Sequence, residues 1–178
     1  APIRYEWEGD EAPVPEIAAD ATPGSEGVGF AYVHLEGFEE AEVTRQFDAF
    51  LDSSLQSPGM VLDLRENYGG MLDNAFQVLG RLLPEPLVIG EHCAPGGADG
   101  APCTEHRIEP RAPVYQGPIA VVIDENVYSA AELVAYSLCR SGRARCFGRT
   151  TAGETDCVFR FDLPGAVARV SWADFRPA

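Results

Sequence analysis

No lysine occurs among the 178 residues; all 13 basic side chains are arginine. Arginine keeps its proton at any working pH, so chemistry that needs a neutral amine as base is closed to this protein acting alone. Positive charge is scarce altogether. Set against 28 acidic residues, it leaves a formal net charge of −15, which argues against nucleic acid and anionic membrane surfaces as partners. Long apolar runs are missing as well: no stretch approaches the roughly 20 residues of a membrane span. Histidine is limited to His34, His92 and His106, and no CxxC pair is present. With His92 and His106 poorly spaced against Cys93 and Cys103 for zinc, neither a metal nor another cofactor is expected.

What is present supports a folded unit. At 46% hydrophobic residues the protein has enough apolar surface to bury a core, and one domain is the default at this length. The five cysteines are many for a cytosolic domain of this size. Cys93 and Cys103 bracket "APGGADGAP", a stretch too rich in Gly and Pro to order itself. A crosslink there closes a short loop and stabilises by about 2–3 kcal/mol in the chain-entropy model. Cys139, Cys146 and Cys157 lie close enough in sequence for one further pair with one thiol left over, and Cys146 with Cys157 are the candidates. Disulfides imply an oxidising, extracytoplasmic compartment, periplasmic or secreted.

Residues 1–27 are acidic and rich in Pro and Ala, and read as an extended lead-in; 28–178 read as the folded core. "VGFAYVHL" has strand character. In "EEAEVTRQFDAFLDSSL", Val43, Phe47, Phe50, Leu51 and Leu55 recur at helical spacing. "MVLDLR" reads as a buried strand, "ENYGG" as a turn and "MLDNAFQVLGRLL" as an amphipathic helix stopped by Pro84. "PLVIG" is another short strand, and residues 91–117 are expected to form one long loop. "PIAVVID" is a buried-type strand, followed by "ENVY" and a helix over about 130–141. "ARCFG", "CVFRF" and "AVARVSW" are three further strand candidates. Strand–helix alternation predicts an α/β fold with parallel pairing.

Ser129 opens the third helix in "NVYSAAELVAY". Locally, "SAAE" fits a capping box, in which the serine hydroxyl accepts from the third amide and Glu132 reaches back to the serine amide. The same backbone also suits a nucleophile, because a helix start offers unpaired amides that stabilise an oxyanion. Gly69 and Gly70 in "ENYGG" would supply the other half of such a hole, or simply a tight strand-to-helix turn.

Three stretches together resemble the C-terminal processing (tail-specific) family of serine peptidases: "AYVHLEGF", "MVLDLRENYGGMLDNA" and "GPIAVVIDENVYSAAELVAYSLCRSGRARCFGRTTAG". The resemblance covers about residues 28–172. It implies a crotonase/ClpP-like α/β core with a mixed, largely parallel sheet and flanking helices. It implies Ser129 as nucleophile, Glu132 as supporting acid, and the backbone amides of Gly69, Gly70 and Ala130 as oxyanion donors. The family's base is usually a lysine in "T-x-G-K"; here Glu154 holds that position in "TTAGETD". A carboxylate is a weak base towards an alcohol, and burial beside Glu132 would protonate it. His34 reads as structural, while His92, His106 or a histidine from a segment outside this sequence remain candidate bases. The resemblance therefore implies a peptidase acting on peptide or protein substrates through an acyl-enzyme. The alternative is an impaired relative that binds peptides or apolar ligands in the same groove. The core is expected to be incomplete at its C-terminal end and to work with other domains of a longer polypeptide.

Overall fold

The computed structural model describes residues 29–94 and 102–178. In sequence order the elements are β1 (Ala31–His34), α1 (Glu42–Ser54), β2 (Met60–Asp63), α2 (Leu72–Gly80), β3 (Leu87–Cys93), β4 (Cys103–Ile108), β5 (Ile119–Ile123), α3 (Ala130–Arg140), β6 (Ala144–Gly148), β7 (Cys157–Leu163) and β8 (Ala166–Pro177). The lead-in expected over 1–27 lies outside the described residues.

Apolar runs without strict alternation, such as "MVLDL" and "IAVVI", suit strands covered on both faces, and these strands pair in parallel. The first sheet has the order β1-β2-β5-β6, and every neighbour is parallel. Each crossover from one of its strands to the next carries a helix, which is what parallel pairing demands. The helices pack in series, α1 on α2 and α2 on α3. Leu62 and Val121 from the sheet meet Phe47, Leu51, Leu79, Leu133 and Val134 from the helices, all essentially inaccessible to solvent. Each such side chain stabilises the fold by about 1.5–3 kcal/mol. Buried Arg81, just past α2, pairs with Asp48 and Asp52 on α1 and so fixes how those two helices meet.

The second sheet is antiparallel, in the order β4-β3-β8-β7. It corrects the single long loop expected over 91–117: β3 runs on to Cys93, and β4 pairs back on it with His92 opposite Thr104 and Cys93 opposite Cys103. "CTEHRI" hid its strand character because β4 is a sheet edge whose side chains are mostly exposed, so no apolar alternation was required of it.

Two disulfides crosslink the fold. Cys93–Cys103 staples the β3–β4 hairpin, as expected. The second joins Cys139 to Cys146, not Cys146 to Cys157. Cys139 lies in the last turn of α3 and Cys146 on β6, which packs against that helix, with Cα atoms 5.9 Å apart. Cys157 begins β7 in the other sheet and keeps a free thiol.

Candidate active site

The carboxyl ends of adjacent parallel strands are where open α/β sheets bind ligands, because the loops that follow diverge there into a crevice. Here the loops after β2 and β5 meet. Asp124, just past β5, accepts from the amides of Glu66 and Asn126, and the Tyr128 amide donates to the Asn67 carbonyl at 3.0 Å. Asn67 is fully buried. Its Nδ2 donates to the Leu35 carbonyl (2.8 Å) and its Oδ1 accepts from the Gly69 amide (2.9 Å). One side chain thus ties the end of β1 to the double-glycine turn, while its backbone holds the serine loop. Sequence reasoning passed over Asn67, although it stands inside the quoted "ENYGG".

Ser129 sits between β5 and α3 with φ +50° and ψ −124°, a conformation that costs a non-glycine residue roughly 1–3 kcal/mol. A sharp strained turn of this kind lifts a serine hydroxyl out of the backbone above a strand end. Ser129 and Glu132 form a capping box at the start of α3, in which Glu132 reaches back to the Ser129 amide (3.2 Å). Ser129 itself is half-buried, not sealed in packed side chains.

The Glu132 carboxylate lies in the protein interior, 1% exposed. Both of its oxygens are engaged, by the amides of Gly153 (2.7 Å) and Glu154 (2.8 Å) as well as Ser129. The Ser129 amide also donates to the Glu154 carbonyl at 2.9 Å. Glu132 therefore clasps the 153–154 loop to the start of α3. The Glu154 side chain is exposed. The like-charge burial considered from sequence does not arise.

Opposite Ser129 stands the glycine turn. A Cβ on Gly69 (φ +95°) would fall 2.7 Å from the Ser129 Cβ, and one on Gly70 (φ +129°) would fall 2.5 Å from the Glu39 amide nitrogen. Only glycine permits both approaches. The Gly69 amide is taken by Asn67. Gly70 bridges Phe38, whose own amide and carbonyl bond Gly69 and Met71. That arrangement leaves the Gly70 N–H and the Ala130 N–H without acceptors among the described residues. Of the two, Gly70 is half-exposed and Ala130 buried beneath the serine. The rings of Tyr68 and Tyr128 stack beside the turn, with centroids 5.7 Å apart.

The motif's charged residues hold the wall. Arg65 grips buried Asp63 through Nε and Nη2, and Tyr32 donates to the same carboxylate at 2.9 Å. Burial would raise the Asp63 carboxyl, but Arg65, through its side chain and backbone, and Tyr32 together hold it below the ordinary range. His34 is exposed, with Nε2 on the Arg65 carbonyl (3.0 Å), a structural place.

His92 and His106 fall on β3 and β4 and contact each other, Nδ1 to Nε2, at 2.7 Å. His92 Nε2 lies 3.2 Å from the Thr155 carbonyl, one residue past Glu154. Burial, and then the neighbouring His92, push His106 below the usual imidazole value, with Asp73 pulling the other way. Glu91, Cys93 and Cys103 also converge, but the disulfide removes both thiolates as metal ligands. Among the described residues no helix is long and apolar enough to cross a membrane.

Comparisons with known proteins identify relatives of this fold. The nisin-resistance protein of Lactococcus lactis is 32% identical over 130 residues, covering 64% of this sequence and 40% of that protein. Among solved structures, the photosystem II D1 C-terminal processing protease superposes with a TM-score of 0.65 at 24% identity, over 82% of this protein and 37% of that one. Mature CPAF superposes with a TM-score of 0.70 at 15% identity, over 81% and 42%. The protein thus spans less than half the length of these relatives, and the structural likenesses show the fold. The model of peptidase family S41 matches residues 29–176. A serine on a strained helix start, a double-glycine turn facing it and this match along nearly all the described residues lead to one conclusion: the protein belongs to peptidase family S41.

Proposed function

We propose that this protein is the catalytic core of a serine peptidase that cleaves peptide bonds through an acyl-enzyme on Ser129. The observation that carries the reading is the Ser129 backbone. Its conformation has an energetic cost, and it holds the side chain against the glycine turn, where a Cβ on Gly69 would fall 2.7 Å from the Ser129 Cβ. Strained non-glycine backbone held at a strand-to-helix turn is characteristic of functional positions. In the proposed reaction the Ser129 oxygen attacks the scissile carbonyl, and the Gly70 amide, with Ala130 behind it, receives the developing oxyanion. Glu132 acts by holding the serine loop against residues 153–154, and the stacked Tyr68 and Tyr128 form one wall of the peptide groove. Family membership supports peptide or protein substrates, including processing near the carboxyl termini of proteins. The two disulfides and the resistance-protein relative support an extracytoplasmic location.

A second reading has one observation in its favour: the exposed Glu154 leaves the family's lysine position without a base. On that reading the groove binds peptides or apolar ligands without cleaving them. A fluorophosphonate probe separates the two. Stoichiometric labelling that disappears in Ser129→Ala is expected; absence of labelling at every pH from about 5 to 9, where serine hydrolases with a histidine or lysine base operate, defeats the peptidase reading.

A further inference from the structure

The crevice between Ser129 and the glycine turn is bordered by negative charge from two directions. On the turn side, a Cβ on Gly37 would collide with the Glu39 carboxylate while standing 3.6 Å from the Gly69 carbonyl, so that carboxylate lies at the turn itself. Gly69 is the residue packed on Ser129, where its Cβ would fall 2.7 Å from the serine's. On the other side, the Ser129 amide donates to the Glu154 carbonyl at 2.9 Å, so the exposed Glu154 side chain springs from backbone in contact with the serine. Glu39 is exposed too, and neither glutamate has an ion-pair partner among the described residues. The cations of the adjoining loops are committed elsewhere, Arg65 to Asp63 and Arg149 to Glu125. With no lysine and a net charge of −15, the field of the whole molecule has the same sign.

Uncompensated carboxylates beside a reacting centre sort substrates by charge. A cationic residue there gains Coulomb energy and is drawn in from solution, whereas an acidic one is repelled. The aromatic wall favours the same partner. Tyr68, 63% exposed, stacks on Tyr128, and the face of a phenol ring attracts an ammonium or a guanidinium. The Tyr128 carbonyl would lie 3.0 Å from a Cβ on Gly69, so the stacked pair borders the crevice that holds the serine. A wall of rings alone would serve neutral and charged peptides alike; rings with two unpaired carboxylates discriminate. We propose that Glu39 and Glu154 are specificity-determining residues that select basic peptide segments, with an arginine or lysine close to the scissile bond. The inference rests on the reading of Ser129 as nucleophile. Both carboxylates meet the substrate's charged side chain and take no part in bond making. An acid at position 154 is on this account a recognition group.

The test compares three alkyl fluorophosphonates that differ only in the group ending a short chain: trimethylammonium, hydroxyl or carboxylate. Labelling of the whole protein, disulfides intact, is followed at about pH 7.5, where exposed carboxylates are charged. Each rate is divided by that probe's own hydrolysis rate. At about 20 mM salt the cationic probe is expected to label at least about 10-fold faster than the anionic one, with the neutral probe between them. The ratio should shrink several-fold at about 0.5 M salt, where screening shortens the reach of surface charge. Glu39→Gln and Glu154→Gln should each cut the ratio by about 3-fold, with the loss falling on the cationic probe. Glu85→Gln removes the same charge between α2 and β3, away from the crevice, and should keep the parent ratio. Equal rates for all three probes, with labelling still lost in Ser129→Ala, overturn the preference and leave the nucleophile standing. A ratio unmoved by both site substitutions, or lowered as much by Glu85→Gln, assigns the effect to net charge and also overturns the proposal. A parent protein that labels with none of the three overturns both readings.

Discussion

At the scale of single residues, the site depends on contacts that admit no extra atom. Gly69 lies so close to Ser129 that a Cβ would overlap the serine's own Cβ at 2.7 Å, and its φ of +95° disfavours any other residue. Gly69→Ala is therefore expected to destabilise the fold by about 2–3 kcal/mol, from strain and displacement together, read as a lower urea midpoint with unchanged slope. It should also remove probe labelling, because relief of the overlap moves Ser129. This level of detail was only partly legible in the sequence. "ENYGG" and "SAAE" identify where to look, since glycine pairs and capping residues have local signatures. That Asn67 would take the Gly69 amide, leaving Gly70 open, depends on Leu35, 32 residues away in the sequence, and no local pattern encodes it. The exposure of Glu154 likewise follows from backbone bonds to Glu132 formed 22 residues apart.

Elements tell a different story. Strands of the parallel sheet were readable because burial on both faces writes itself as apolar runs; β4, an exposed edge, left no such mark. The disulfide partners were misassigned for a related reason. No local pattern among Cys139, Cys146 and Cys157 encodes the pairing, whereas the fold places Cys146 beside the end of α3 and Cys157 in the other sheet. Each bridge closes a short loop, with sequence separations of 10 and 7. Each should contribute about 2.5–3 kcal/mol in the chain-entropy model, so a reductant is expected to lower the melting temperature markedly. Thiol titration of the denatured, unreduced protein should find one reactive group, Cys157. Three groups would remove one bridge from this description, and five would remove both. The β7–β8 hairpin adds an exposed apolar stripe, with Phe159 stacked on Trp172 and Phe161 beside it. Periodicity located these strands but carries no information on what they face.

For the molecule as a whole, class and topology were legible where repeated strand–helix alternation applied, and the antiparallel second sheet was not, because its pairing is set by long-range register. Acid response is a whole-molecule property with two identifiable sources. The Asp63 carboxyl is depressed in the fold, so its stabilisation is present above its unfolded value and disappears as pH falls through the folded one. His106 is also depressed; below about 6.5, the unperturbed imidazole value, the unfolded polypeptide binds a proton the fold resists. Both signs agree, so stability measured by urea unfolding should decline from about pH 6.5 downward and again below about pH 4, where carboxylates titrate. Asp63→Asn should remove much of the second decline.

The Glu132 clasp bears on when the molecule becomes dangerous to its neighbours. The serine loop is held by backbone at 153–154, and Thr155 beside it meets His92, so the segment that holds the loop is tied to the second sheet as well. A nascent polypeptide exposing residues up to 150 can make its hydroxyl-bearing helix and seat it on Asn67, but it lacks the 153–154 amides that hold the Glu132 carboxylate. Whatever reactivity this protein possesses should thus wait until residues 153–155 dock, and a half-made or partly melted copy would be inert by default.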